Sequence, residues 1–300
     1  MSKCKAWIHA FRLRTLPLAL SNIFLGSFLA ASDGGFRLKI FILATLTTLF
    51  LQILSNLAND LGDSISGADN EERVGPQRAV QSGLISKKEM IRMVIVFVLL
   101  SLASGIYLLW EGMQLLSFTQ AIVMLGIGIL AIGAAINYTV GKNPYGYTGF
   151  GDLFVFLFFG LVGVLGTYFV HTGSLNWMLF LPAIAIGFLS VGVLNLNNLR
   201  DIENDTKTGK HTLVVKMGSA IAKWYHLFLL GGTMVIAFLY SYLNWNSVFQ
   251  LLFILSFPFL IRNIQIVFKN QNPRDLDPEL KKLALTTLLF SLTFGLGLLF

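Results

Sequence analysis

The chain alternates long apolar runs with short polar connections. Nine runs reach the roughly 20 residues that an α-helix needs to cross about 30 Å of hydrocarbon. They lie near 15–32, 38–58, 91–110, 115–137, 152–171, 176–196, 222–243, 247–268 and 283–300. The predicted architecture is therefore all-α and integral to a membrane, a single polytopic domain over residues 1–300. Two of the runs end in polar stretches of similar character. The first, 56–69, opens Asn56-Leu-Ala-Asn59-Asp60-Leu-Gly-Asp63 and follows the second run. The other, 197–212, opens Asn197-Asn198-Leu-Arg200-Asp201-Ile-Glu-Asn-Asp205 and follows the sixth. Their recurrence four spans apart points to a duplicated helical hairpin. Helix residues three and four apart are neighbours, so Asn56, Asp60 and Asp63 are expected on one face, and Asn197, Asp201 and Asp205 on another.

Composition agrees with a membrane protein: 55% of the 300 residues are hydrophobic and 12% charged, with a mean hydropathy of +0.72. The charges also orient it. Of 22 Lys and Arg, only Arg37 and Lys39 fall on the face with the short loops, so the positive-inside rule places the N-terminus in the cytoplasm and the C-terminus outside. Thirteen of the 15 acidic residues share the basic face. Acids contribute little to orientation, so their concentration there marks a working surface. The net charge of +7 follows topology and forms no stripe interleaved with aromatic residues, which excludes nucleic acid as a partner. The single Cys4 rules out an intramolecular disulfide and any cysteine metal motif. The basic N-terminus before an apolar run resembles a secretory signal, but Ser21 and Asn22 interrupt its core and eight spans follow, so a retained first span is expected. His9, His171, His211 and His226 lack ligand spacing and are expected at surfaces or interfaces. No Walker loop, Ser/His/Asp arrangement or dinucleotide fingerprint occurs.

Carboxylates clustered at a membrane surface repel one another unless a cation lies between them. Magnesium prefers oxygen ligands, usually one or two carboxylates together with phosphate oxygens and water. The paired stripes thus point to a divalent-metal site for a substrate with a diphosphate head and a hydrocarbon tail. Neutralised in this way, diphosphate is a good leaving group from an allylic carbon. Arg78, Lys142, Arg200 and Lys210 are candidates to add positive charge on the departing group. Tyr138, Tyr145 and Tyr147, in a turn-rich segment between the fourth and fifth spans, are candidates to face an allylic cation or an aromatic substrate. Asp69, Glu71, Glu72 and Glu203 fit either an outer ligand shell or a solvated loop.

These motifs resemble those of the UbiA superfamily of intramembrane prenyltransferases over nearly the whole chain: Asn59-Asp60-Leu-Gly-Asp63, then Asp201-Ile-Glu-Asn-Asp205 four spans later. Further segments resemble the branch that acts on 1,4-dihydroxy-2-naphthoate: Trp7-Ile-His-Ala-Phe-Arg12-Leu-Arg14-Thr-Leu-Pro17, Arg73-Val-Gly-Pro76-Gln-Arg78-Ala, and Asn197-Asn198-Leu-Arg200-Asp201 running on to Gly209-Lys210-His-Thr212. Gly67 stands where the wider superfamily often has a further Asp. The resemblance implies nine helices ringed around a central cavity that opens sideways to lipid. It implies that Asn59 and Asp63 hold one Mg2+, with Asp60 close by, and that Asp201 and Asp205 hold a second. Arg200, Lys210 and Lys142 would contact diphosphate, with Asn197 or Asn198 positioning it. The implied substrates are a polyprenyl diphosphate and dihydroxynaphthoate, and the implied location is the inner (cytoplasmic) membrane with the site on its cytoplasmic face. Other aromatic acceptors, such as 4-hydroxybenzoate or homogentisate, are the competing expectations within this class. A cation-coupled secondary transporter is the competing class, although such proteins tend to keep polar sites near the bilayer midplane.

Overall fold

A computed structural model describes residues 2–67 and 78–300. A short helix, α1 (Lys3–Phe11), precedes α2 (Leu16–Ser32), α3 (Leu38–Ser66), α4 (Lys87–Gly112) and α5 (Phe118–Asn137). Then follow α6 (Gly151–Thr172), α7 (Trp177–Lys207), α8 (Leu213–Leu243), α9 (Val248–Lys269) and α10 (Pro273–Gly297). Among the described residues, nine helical stretches are long and apolar enough to cross a membrane: Lys3–Ser32, which takes in α1 and α2, and then α3 to α10. Several outrun their hydropathy: α3 continues through the first polar motif to Ser66, α7 through the second to Lys207, and α10 starts some ten residues before the predicted run. Backbone hydrogen bonding, not apolarity, sustains a helix once it leaves the hydrocarbon. Gly67 ends α3 with a φ of 75°, a left-handed conformation that suits glycine at a helix terminus. At the start of α4, Ser86 and Glu89 form a reciprocal capping box.

Neighbouring helices pack in sequence around a ring, from α2 through α5 and from α6 through α10, and α10 closes back on α2. The α5–α6 contact is the sparsest in the circuit. Large apolar side chains on the outer faces, such as Leu99, Leu130 and Val235, are exposed, as expected where lipid is the solvent. α6 contains a π-helical stretch, Phe156–Gly166. There, a Cβ on Gly160 would fall 2.7 Å from the Gly187 Cα of α7, so this crossing requires two glycines.

The histidines depart from expectation, because His171 and His226 are fully buried. His171 pairs with Ser27 Oγ at 3.1 Å and accepts a hydrogen bond from the Arg37 N–H. His226 Nε2 lies 2.8 Å from Asn263 Oδ1, and Asn263 Nδ2 donates to Glu279 Oε2 at 3.1 Å. Asn195 Nδ2 donates to the Ala222 carbonyl. These bonds tie α7, α8, α9 and α10 together. They satisfy groups that would otherwise be costly in an apolar interior.

Candidate active site

Inside the ring lies a cavity of about 450 Å3. Its deep wall is apolar, with Leu102 and Leu109 of α4, Met124 of α5, and Phe158 and Val162 of α6. Ile106 and Ile129 line it while remaining more than half exposed, so it reaches the outer surface beside α4 and α5. At the other end, Asn59 and Asp63 of α3 face Asn197, Asn198, Asp201, Asn204 and Asp205 of α7, joined by Arg78 and Lys210. The two motifs therefore share one chamber.

Asp63 is the point where they meet. Its Oδ1 accepts from Lys210 Nζ at 2.9 Å and from the Tyr147 hydroxyl, while its Oδ2 pairs with Arg78 Nη2. Lys210 also lies 4.6 Å from the Tyr147 ring centroid. Asp201 has a different partner. Arg200, 2% exposed, holds it through Nε at 2.8 Å and Nη2 at 2.6 Å, and its Nη1 reaches Asp277 of α10 at 2.6 Å. Asp205 is 5% exposed and lines the cavity, yet no side chain among the described residues bonds its carboxylate. Asn59 Oδ1 accepts from Thr139 Oγ1 at 3.2 Å. That contact depends on Gly62, where a Cβ would fall 2.5 Å from the same oxygen.

Other candidates stand elsewhere. Asn56 donates to the Phe11 carbonyl at 2.9 Å and to Thr15 Oγ1 at 3.0 Å, fastening α1. Asp60 accepts from the Ala79 N–H at 3.2 Å, on the side of α3 away from the cavity. Lys142 is exposed and does not line the chamber, and Arg200 reaches it only through Asp201 and through Asn197, whose Oδ1 accepts from Arg200 Nη2 at 3.0 Å. Asp69, Glu71 and Glu72 lie outside the described residues. Tyr138, Tyr145 and Tyr147 all line the cavity. Tyr145 stacks on Phe154 at 4.1 Å and donates to the Ala134 carbonyl. Burial pushes all three phenols above their usual range. The negative charge of Asp63 adds to this at Tyr147, and that of Asp152 at Tyr138.

Sequence reasoning passed over Arg12, Asn22, Gln52 and Ser55, which also line the cavity. Asn22 had been read only as an interruption of the first span, which was its signal. Asp277, the second partner of Arg200, carried none.

Among the described residues, no three His, Cys, Asp or Glu side chains converge into a ready-made metal cage. The donor set nonetheless suits a hard divalent ion. Carboxylate and amide oxygens from two helices face one space, with no competing nitrogen or sulfur ligand, and the Asp205 carboxylate is uncommitted.

Residues 19–294 match the UbiA prenyltransferase family. The chain belongs to this family. It is 44% identical over 299 residues to the 1,4-dihydroxy-2-naphthoate octaprenyltransferase of Haemophilus influenzae, covering 99% of this chain and 96% of the relative. It is 41% identical over 298 residues to the enzyme of the same name from Escherichia coli, with the same coverage. Among solved structures, it resembles a UbiA homolog from Aeropyrum pernix K1 with a TM-score of 0.68 at 16% identity, covering 96% of both chains. It also resembles a UbiA homolog from Archaeoglobus fulgidus bound to DMAPP and Mg2+, with a TM-score of 0.62 at 19% identity, covering 96% and 98%. At these identities the structural likeness is one of fold: the UbiA helical ring.

Proposed function

We propose that this protein transfers a polyprenyl group from its diphosphate to 1,4-dihydroxy-2-naphthoate, with loss of the ring carboxylate as CO2. The observation that carries the reading is the junction at Asp63, where both acidic motifs and two cations meet at the polar end of an apolar chamber. The full-length relatives bearing this activity's name support the choice of acceptor.

Asn59, Asp63, Asp201 and Asp205 would hold Mg2+. When bound, the metal supplies positive charge that makes diphosphate a better leaving group. Arg78 and Lys210, which pair with Asp63 and line the polar end of the cavity, would turn to the diphosphate oxygens. Arg200 fixes Asp201 by a two-point grip and acts on the diphosphate through it. The wall of Tyr138, Tyr145 and Phe154 offers aromatic faces to an allylic cation and excludes water. The apolar wall receives the prenyl tail, and the opening beside α4 and α5 lets the chain stay in lipid. The polar end would face the cytoplasm, in keeping with the distribution of Lys and Arg, with the protein in the inner (cytoplasmic) membrane.

The test is transfer of a radiolabelled polyprenyl group by the purified protein to dihydroxynaphthoate, 4-hydroxybenzoate and homogentisate, each with and without EDTA. Prenylated naphthoquinol, lost on chelation and restored by Mg2+, is expected. Preference for another acceptor, or turnover indifferent to chelation, would refute the assignment.

A further inference from the structure

Three acids stand at the start of α10, and each has a different partner. Asp275 lies 3.5 Å from Asn272 Nδ2, within its own turn. Glu279 accepts from Asn263 Nδ2 at 3.1 Å and pairs with Lys282 Nζ at 2.6 Å. Asp277 alone of the three bonds the second acidic motif, accepting from Arg200 Nη1 at 2.6 Å. It also lies 3.7 Å from Arg14 Nη1, but those side chains are 33% and 37% exposed, and a loose pair at the surface contributes little. Its main partner is therefore Arg200.

That arginine is buried and spends every nitrogen. Nε and Nη2 hold Asp201, Nη2 also donates to Asn197 Oδ1, and Nη1, the corner opposite the edge that grips Asp201, donates to Asp277. Asp201 lines the cavity, whereas Arg200 and Asp277 do not, so the three stand in a row with Asp277 outermost. With Asp201 as its sole counter-ion, a buried guanidinium would cancel the very charge that a cation in the chamber needs. A second carboxylate behind it changes this. Asp201, Arg200 and Asp277 together keep a net negative charge, and Asp201 presents it. The outer carboxylate also steadies the planar fork: with Nη1 held, the guanidinium cannot swivel about its stem, and Asp201 is offered at a fixed angle.

We propose that Asp277 is a positioning residue for the metal-binding carboxylate of Asp201. Acting through Arg200, it keeps Asp201 aimed at the chamber and negative enough to take a divalent cation. This rests on the reading of Asp201 as a metal ligand given above. Asp277 itself touches neither substrate nor metal. Partners of this kind behind a ligand are typically worth about 10–100-fold in metal affinity.

Asp277→Asn keeps an oxygen able to accept from Nη1 and removes only the charge. The probe is Mn2+, its binding to the purified protein followed by EPR with a non-hydrolysable prenyl diphosphate analogue present and no acceptor. Half-saturating Mn2+ should rise about tenfold or more in Asp277→Asn. The Mg2+ concentration for half-maximal turnover should rise in parallel, and excess Mg2+ should recover most of kcat. Asp277→Glu, which restores the charge, should bring both to within about threefold of the parent. Half-saturating Mn2+ within about twofold of the parent in Asp277→Asn would overturn the proposal. So would a fall in the thermal midpoint of the metal-free protein shared by the Asn and Glu variants with metal binding unchanged, the mark of a purely structural clamp. If neither Asp277→Asn nor Asp277→Ser yields folded protein, Asp277 is structural and the proposal falls. A parent that binds Mn2+ yet prenylates none of the three acceptors overturns the reaction assigned above and leaves the Asp277 comparison decisive; a parent that binds no Mn2+ overturns both.

Discussion

Asp63→Asn separates two consequences of one carboxylate. In the substrate-free protein, Asp63 neutralises both Arg78 and Lys210, and its own side chain is 3% exposed. Removing the charge leaves two cations, 9% and 14% exposed, facing an amide. Breaking a buried ion pair costs about 3–5 kcal/mol, and the partial exposure of Lys210 places this case near about 3 kcal/mol. For a chain of this size, that corresponds to a fall of roughly 5–10 °C in thermal midpoint. Lys210→Met is the control. Asp63 then keeps Arg78 and Tyr147, so the loss is about 1 kcal/mol, or roughly 2–4 °C. The assay is thermal unfolding in detergent, first without metal and then with Mg2+ and a non-hydrolysable prenyl diphosphate analogue. The parent and Lys210→Met should both gain stability from the ligand, whereas Asp63→Asn should gain little. If Asp63→Asn melts no lower than Lys210→Met, or is stabilised by the ligand as strongly as the parent, the account of Asp63 as the shared anchor is wrong.

Arg200→Lys keeps a positive charge but not the two-point grip on Asp201 or the simultaneous reach to Asp277; the Mg2+ concentration for half-maximal turnover should rise about tenfold or more. Asn56→Ala should leave the KM for prenyl diphosphate within about twofold, because its bonds go to Phe11 and Thr15. It should instead release α1, seen as faster proteolytic trimming of the N-terminus. Tyr147→Phe removes one donor to Asp63 and should cost a few-fold in turnover. Burial and the Asp63 charge both disfavour the tyrosinate, so the phenol stays protonated through the assay range. The parent and Tyr147→Phe should therefore share the same alkaline limb in their pH–rate profiles.

The nine helices and the two acidic motifs were legible because both follow from short-range rules: the length of apolar runs and the helical neighbourhood of residues three and four apart. The same rule was too generous around α3. Asn56, Asp60 and Asp63 share a broad stripe, but a stripe that wide touches several neighbours, so Asn56 turns to α1 and Asp60 to Ala79 while Asn59 and Asp63 face the chamber. Lys142 and Arg200 were grouped by charge, and only tertiary structure distinguishes the exposed lysine from the arginine clamped between Asp201 and Asp277. Helix ends were misplaced where hydropathy fell before hydrogen bonding did.

The hydrogen bonds among Asn195, His226, Asn263 and Glu279 constrain how the ring can deform. Sliding α7 along α8, or turning it about its axis, would break contacts that water cannot replace inside a bilayer. The scaffold carrying Asp201 and Asp205 is thereby stiffened against shear. When a long lipid threads the wall, the compliance has to come from the opposite arc, where α5 rests most lightly on α6.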